Sequence, residues 1–207
     1  MRNIARAVGQ LERRMVHWGR LGRAAMVFLG LAFAAQAQAQ TAAPEGYIGT
    51  LNWYHQQADA GNARAQFLLA IKYETGTDVE QDLARAADLY ERAARQGLPD
   101  AQFKLATFLQ AGRGGRADLV AAETWYRAAA LRSHPSAQFN LGVMLLNGAE
   151  TDDGAAEAIS WLLRASRAGL SQANDLTGRI SRVYPEDVMT NARALANLPL
   201  SPTAGVR

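Results

Sequence analysis

Cysteine is absent from all 207 residues, so no disulfide braces the chain, no thiolate serves as nucleophile or metal ligand, and no cysteine carries a lipid. Histidine is nearly absent: only His55 and His134 lie beyond residue 39. Metal sites normally gather several His, Cys or carboxylate ligands at set spacings. His134 precedes Pro135 in a turn and His55 reads as a solvated helix position, so neither a metal nor a cofactor is expected. Catalytic motifs are missing as well. No base accompanies the serines at a recognisable spacing, and neither a G-x-S-x-G elbow nor S-x-x-K occurs. The stretch Gly112-Arg113-Gly114-Gly115-Arg116 has the look of a phosphate cradle or an RGG fragment, but its glycines answer to the backbone needs of a loop. Glu150, Asp152 and Asp153 lack the alternating order of a calcium loop and suit helix capping and solvation.

A long hydrophobic run is also lacking. Arg20 and Arg23 precede an apolar stretch from Ala24 to Ala35, shorter than the about 20 residues a spanning helix needs, and Ala35-Gln36-Ala37-Gln38-Ala39 follows. Basic region, hydrophobic region and A-x-A site are the layout of a secretory signal peptide over residues 1–39, cut after Ala39. The part before Arg20 is long for a signal; Met15 is an alternative start, and retention as an anchor is the alternative to cleavage. Cleavage removes six of the 22 basic residues and one of the 19 acids, leaving 16 against 18 and a balance of −2. Nucleic-acid binding, which draws on many Lys and Arg residues, thereby loses its compositional support. The expectation is a periplasmic or secreted protein, a monomer, with no stable membrane insertion once the signal is gone.

What the chain does have is a period. Ala-Gln-Phe occurs at Ala65-Gln66-Phe67, Ala101-Gln102-Phe103 and Ala137-Gln138-Phe139, a constant interval of 36 residues. Other columns share it: Trp53, Leu89, Trp125 and Trp161; Tyr54, Tyr90, Tyr126 and Leu162; Ala93, Ala129 and Ala165; Gly61, Gly97, Ser133 and Gly169. A period in this range marks one supersecondary unit that cannot bury its apolar face alone, so neighbours stack into a continuous core. Each unit reads as two helices. Ala65, Leu69, Ala70 and Tyr73 form one buried stripe, Gly76 ends the first helix, and Asp82 or Asp118 caps the second, whose stripe continues through Ala86, Leu89, Tyr90 and Ala93. The fold class is therefore all-α, a solenoid of stacked antiparallel helix pairs.

The pattern of A-Q-F-x-L-A/G, a Gly-bearing loop, an aspartate, and an Ala-rich helix with a Trp-Tyr pair resembles the Sel1-like repeat, related to tetratricopeptide repeats. It covers three units, 63–97, 98–133 and 134–169, with an entry helix in 40–62 and a half repeat and capping helix in 170–197; residues 198–207 read as a disordered tail. In the third unit Gly154 stands where the capping aspartate belongs. The resemblance implies a non-enzymatic adaptor or regulator in the cell envelope. It leaves two alternatives: certain cysteine-rich members look penicillin-binding or β-lactamase-like, which the missing cysteines and S-x-x-K oppose, and a structural component bound to peptidoglycan is the other.

Stacking with a small constant rotation places the first helix of every unit on the inner surface, where varying positions set specificity. Those positions are Leu68, Ile71 and Lys72, then Lys104, Thr107 and Phe108, then Asn140, Val143 and Met144. Apolar residues mixed with two lysines and an asparagine suit a protein or peptide partner carrying some negative charge, anchored on Phe108 and Met144.

Overall fold

The computed structural model describes residues 47–200, and the expected signal peptide lies outside them. The helices are α1 (Tyr47–Asp59), α2 (Ala63–Thr75), α3 (Leu83–Arg95), α4 (Pro99–Ala111), α5 (Leu119–Leu131), α6 (Pro135–Asn147), α7 (Asp152–Arg167), α8 (Ser171–Ile180) and α9 (Glu186–Asn197); no strand occurs among the described residues. From Leu51 onward they form one compact unit. Within it α2 packs on α3, α3 on α4, and so on to α7, the zigzag of a helical solenoid.

Each boundary has a local cause. Side-chain oxygens of Asn62, Asp82, Asp118 and Thr151 accept from the free backbone N–H three residues on, at 2.9–3.1 Å. Thr151 thus does for α7 what Asp82 and Asp118 do for α3 and α5, which explains how Gly154 is tolerated in the third unit. His134 caps α6 through Nδ1, which accepts from the Ala137 N–H at 3.1 Å, while its ring stacks on Phe103. Gly76 and Gly112 end α2 and α4 in the left-handed conformation (φ 70° and 65°).

The Gln of the Ala-Gln-Phe triplet is the rivet between units. Gln66, Gln102 and Gln138 are all buried, and each Nε2 donates to the carbonyl eight residues back, on Ala58, Ala94 and Ala130, at 3.0–3.1 Å. A buried amide is stable only when paired, and here the pair ties the last turn of one unit to the first helix of the next. Alanines at Ala86, Ala93, Ala122, Ala129 and Ala158 are fully buried and let the helices approach closely, while Trp125 is half-buried between the first and second core clusters. Gly142 marks a close approach of α6 and α7: a Cβ there would lie 2.7 Å from Leu162 Cγ.

The C-terminal end departs from the period. Earlier second helices pack on the first helix of their own unit, but α9 packs chiefly on α7. Arg164 Nη2 donates to the carbonyls of Leu195 and Leu198, both at 2.7 Å, and Arg167 Nη1 to that of Ala196 at 3.0 Å. Two cations thus cap the carbonyl end of α9, where the helix dipole favours them. The expectation of a disordered tail from residue 198 is corrected in part: Leu198, Pro199 and Leu200 lie with Leu131 and Trp161 around a cleft of about 570 Å³, and Leu200 packs on the second core cluster. Apolar contact to a neighbouring helix, invisible in the tail's own composition, orders these three residues.

Candidate protein-binding face

The nine residues expected to bind a partner lie on α2, α4 and α6, and the structure treats them unequally. Leu68, Ile71 and Lys72 are half-buried. Ile71 packs on the first core cluster, and Lys72 is ion-paired with Asp78. Thr107 is half-buried, with its hydroxyl donating to the Lys104 carbonyl at 2.7 Å. Phe108 is the correction. It is fully buried, edge-on to Tyr90 with ring centres 5.2 Å apart and covered by the Arg113 guanidinium at 4.4 Å, so it is a core residue and offers no surface anchor.

The two lysines, expected to suit a partner carrying some negative charge, are both ion-paired within the chain, Lys72 with Asp78 and Lys104 with Glu74. Lys104 Nζ lies 3.1 Å from Glu74, whose side chain is 11 % exposed, and Arg113 Nη1 reaches the other oxygen of the same carboxylate at 2.8 Å. Tyr90 donates its hydroxyl to Glu74 as well. Burial works to raise the Glu74 pKa, but the hydrogen bonds from Tyr90, Lys104 and Arg113 outweigh it and hold the carboxyl below its ordinary range. Burial, then the Glu74 carboxylate, push the Tyr90 phenol far up, so it stays a donor. What remains is a node with two cations on one acid.

One interval of 36 later the node is rebuilt without charge. Tyr126 donates to Gln110 Oε1 at 2.7 Å and accepts from Asn140 Nδ2 at 3.1 Å. A further interval on, the corresponding residues are Leu146, Leu162 and Leu176, all in or packed on the third core cluster. Sequence reasoning placed Tyr90 and Tyr126 in a packing column and Arg113 in a loop, but missed Glu74, Gln110 and the node they complete. The signal was present in two columns that change together, Glu74/Gln110/Leu146 and Lys104/Asn140/Leu176, joined at the last step by Tyr90/Tyr126/Leu162.

Asn140, Val143 and Met144 do come together. With Gln110, Leu119 and Phe139 they line a cleft of about 410 Å³ between α4 and α6 that carries no charged side chain. Leu119, 55 % exposed, forms its apolar rim.

A stack of helical hairpins with a 36-residue period defines a helical-repeat protein, and comparison with known proteins specifies which. The Sel1 repeat family model matches residues 63–98, 99–134 and 135–170, and the chain belongs to that family. Among solved structures it is similar to a Sel1 repeat protein from Oxalobacter formigenes, at 30% identity and a TM-score of 0.58 over 64% of this chain and 53% of that one. It is also similar to a protective antigen of uropathogenic Escherichia coli with an SLR fold, at 29% identity and a TM-score of 0.60 over 72% of this chain and 32% of that one. The chain thus spans about half the length of the first and a third of the second. No curated protein matches it. Membership of the family supports, in general terms, a scaffold for protein–protein interaction. Among the described residues no helix is long and apolar enough to cross a membrane.

Proposed function

We propose that this protein is a non-enzymatic scaffold or regulator of the cell envelope that captures a peptide or helix of a partner protein on the face built by α2, α4 and α6. The observation that carries the reading is the cleft at the second and third units: three residues singled out for varying between repeats, Asn140, Val143 and Met144, line one uncharged, half-open space. Half-exposed apolar side chains beside amides suit an interaction surface, since they gain from burial and still hydrogen-bond a peptide backbone. The signal-like residues 20–39 support export. Its test is capture from an envelope extract by the exported chain and by a Val143→Glu, Met144→Glu variant. Both positions are half-exposed, so helicity is expected to survive while capture is lost; equal capture by the variant would refute this placement of the surface.

A further inference from the structure

The repeat contains its own template for what the cleft holds. Between the first and second units the equivalent space is filled by the chain itself: Arg113 leaves the turn after α4, lays its guanidinium over the Phe108 ring at 4.4 Å and ends on Glu74 at 2.8 Å. One interval later Phe108 becomes Met144, Glu74 becomes Gln110 and Arg113 becomes Ala149. Met144 and Gln110 both line the cleft, and an alanine at 149 is too short to bridge them. No arm closes the cleft: α6 ends at Gly148 with φ −101° where Gly112 has 65°, and residue 149 is an alanine.

We propose, building on the reading of this face as a partner-binding surface, that a peptide inserts a long uncharged side chain into the cleft, in the place Arg113 occupies one unit earlier, and lays an acidic residue on Lys104 and Arg113. The inserted side chain is uncharged because an amide stands where Glu74 stood. A guanidinium or ammonium there would be desolvated with no counter-charge, whereas an apolar stem gains contact with Met144, Val143 and the Leu119 rim. The acid follows from the node beside it. Lys104 and Arg113, with side chains 35 % and 40 % exposed, share Glu74, and neither has another acid within ion-pair reach among the described residues. The two cations thus carry one positive charge more than Glu74 neutralises, and both are partly exposed. Lys104 and Gln110 are separated by a rise of about 9 Å along α4, which an extended peptide covers in about three residues.

The probes are acetyl-Asp-Glu-Ala-Ala-Leu-Met-amide, its Lys-Lys counterpart, and the acidic peptide with Ala-Ala in place of Leu-Met. Methyl NMR of the methionines reads the site directly, because Met144 lines the cleft and Met189, buried on the inner side of α9, serves as an internal control. The acidic Leu-Met peptide shifts the Met144 methyl saturably and leaves Met189 in place; the other two bind severalfold more weakly. Ala149→Arg closes the cleft and abolishes the shift. Gln110→Glu with Ala149→Arg, which copies the Glu74–Arg113 pair one unit along, abolishes it too and melts no lower than the parent. Lys104→Glu removes the preference for the acidic peptide. A Met144 shift that survives both arginine variants, equal binding of the lysine peptide, or no Met144 shift with any probe would overturn the proposal. Probe-induced shifts confined to α2, such as at Ile71, would reject the cleft while leaving the binding face standing.

Discussion

Glu74 shows how much one residue's neighbours decide. Alone it is a carboxylate at the end of α2; with Tyr90, Lys104 and Arg113 it becomes the junction of four segments. Because its folded pKa lies below the unfolded value, its stabilisation is fully present above the ordinary carboxylate pKa and disappears as pH falls through the folded one. Glu74→Gln is expected to lower stability by about 1–2 kcal/mol at neutral pH, a figure discounted for the partly exposed lysine and arginine. In denaturant melts the gap between variant and parent should close in acid; a gap independent of pH would mean that the charge is immaterial. Phe108 illustrates what single-residue reading misses. It shares a column with Lys72 and Met144, both half-exposed, so helical periodicity alone put it on the surface. Its burial comes from Tyr90 and Arg113, which periodicity does not see.

At the scale of elements, the helix pairs were legible because each column repeats. Asp82 and Asp118 were identifiable as caps, and the structure shows both accepting from the third residue on. The cap of α7 was not legible, because Thr151 acts from outside the aspartate column. The Gln column was visible as a repeated letter, but its role emerges only when the previous unit's carbonyls are in place. The seat of α9 could not be read for a related reason: its contacts have no earlier copy in the chain to compare. Arg164 and Arg167 hold its C-terminal carbonyls, so Arg164→Ala with Arg167→Ala should accelerate amide exchange across 186–197 and leave 99–131 protected. Unchanged exchange in α9 would show that apolar packing through Val188, Met189 and Ala192 suffices.

Across the whole repeat unit, a single framework carries a changing lining. The Glu74 and Lys104 columns are charged in their first copy, amide in the second and leucine in the third, while the Tyr90 column is tyrosine twice before it too becomes leucine, so the lining runs from a cation-rich node to an apolar end. Elsewhere the balance inverts: Arg127 is paired with both Glu123 and Glu157, two acids on one cation. The constant columns maintain the stack while the changing ones differentiate its surface, which is why fold was easier to read than site. A photoreactive amino acid placed at Met144, with Thr124 on α5 as the exposed comparison, tests partner capture most directly in whole cells. A discrete protein adduct at 144 that is missing at 124 is the predicted result. The same adducts from both positions, or an adduct at 124 and none at 144, would contradict a binding face built by α2, α4 and α6.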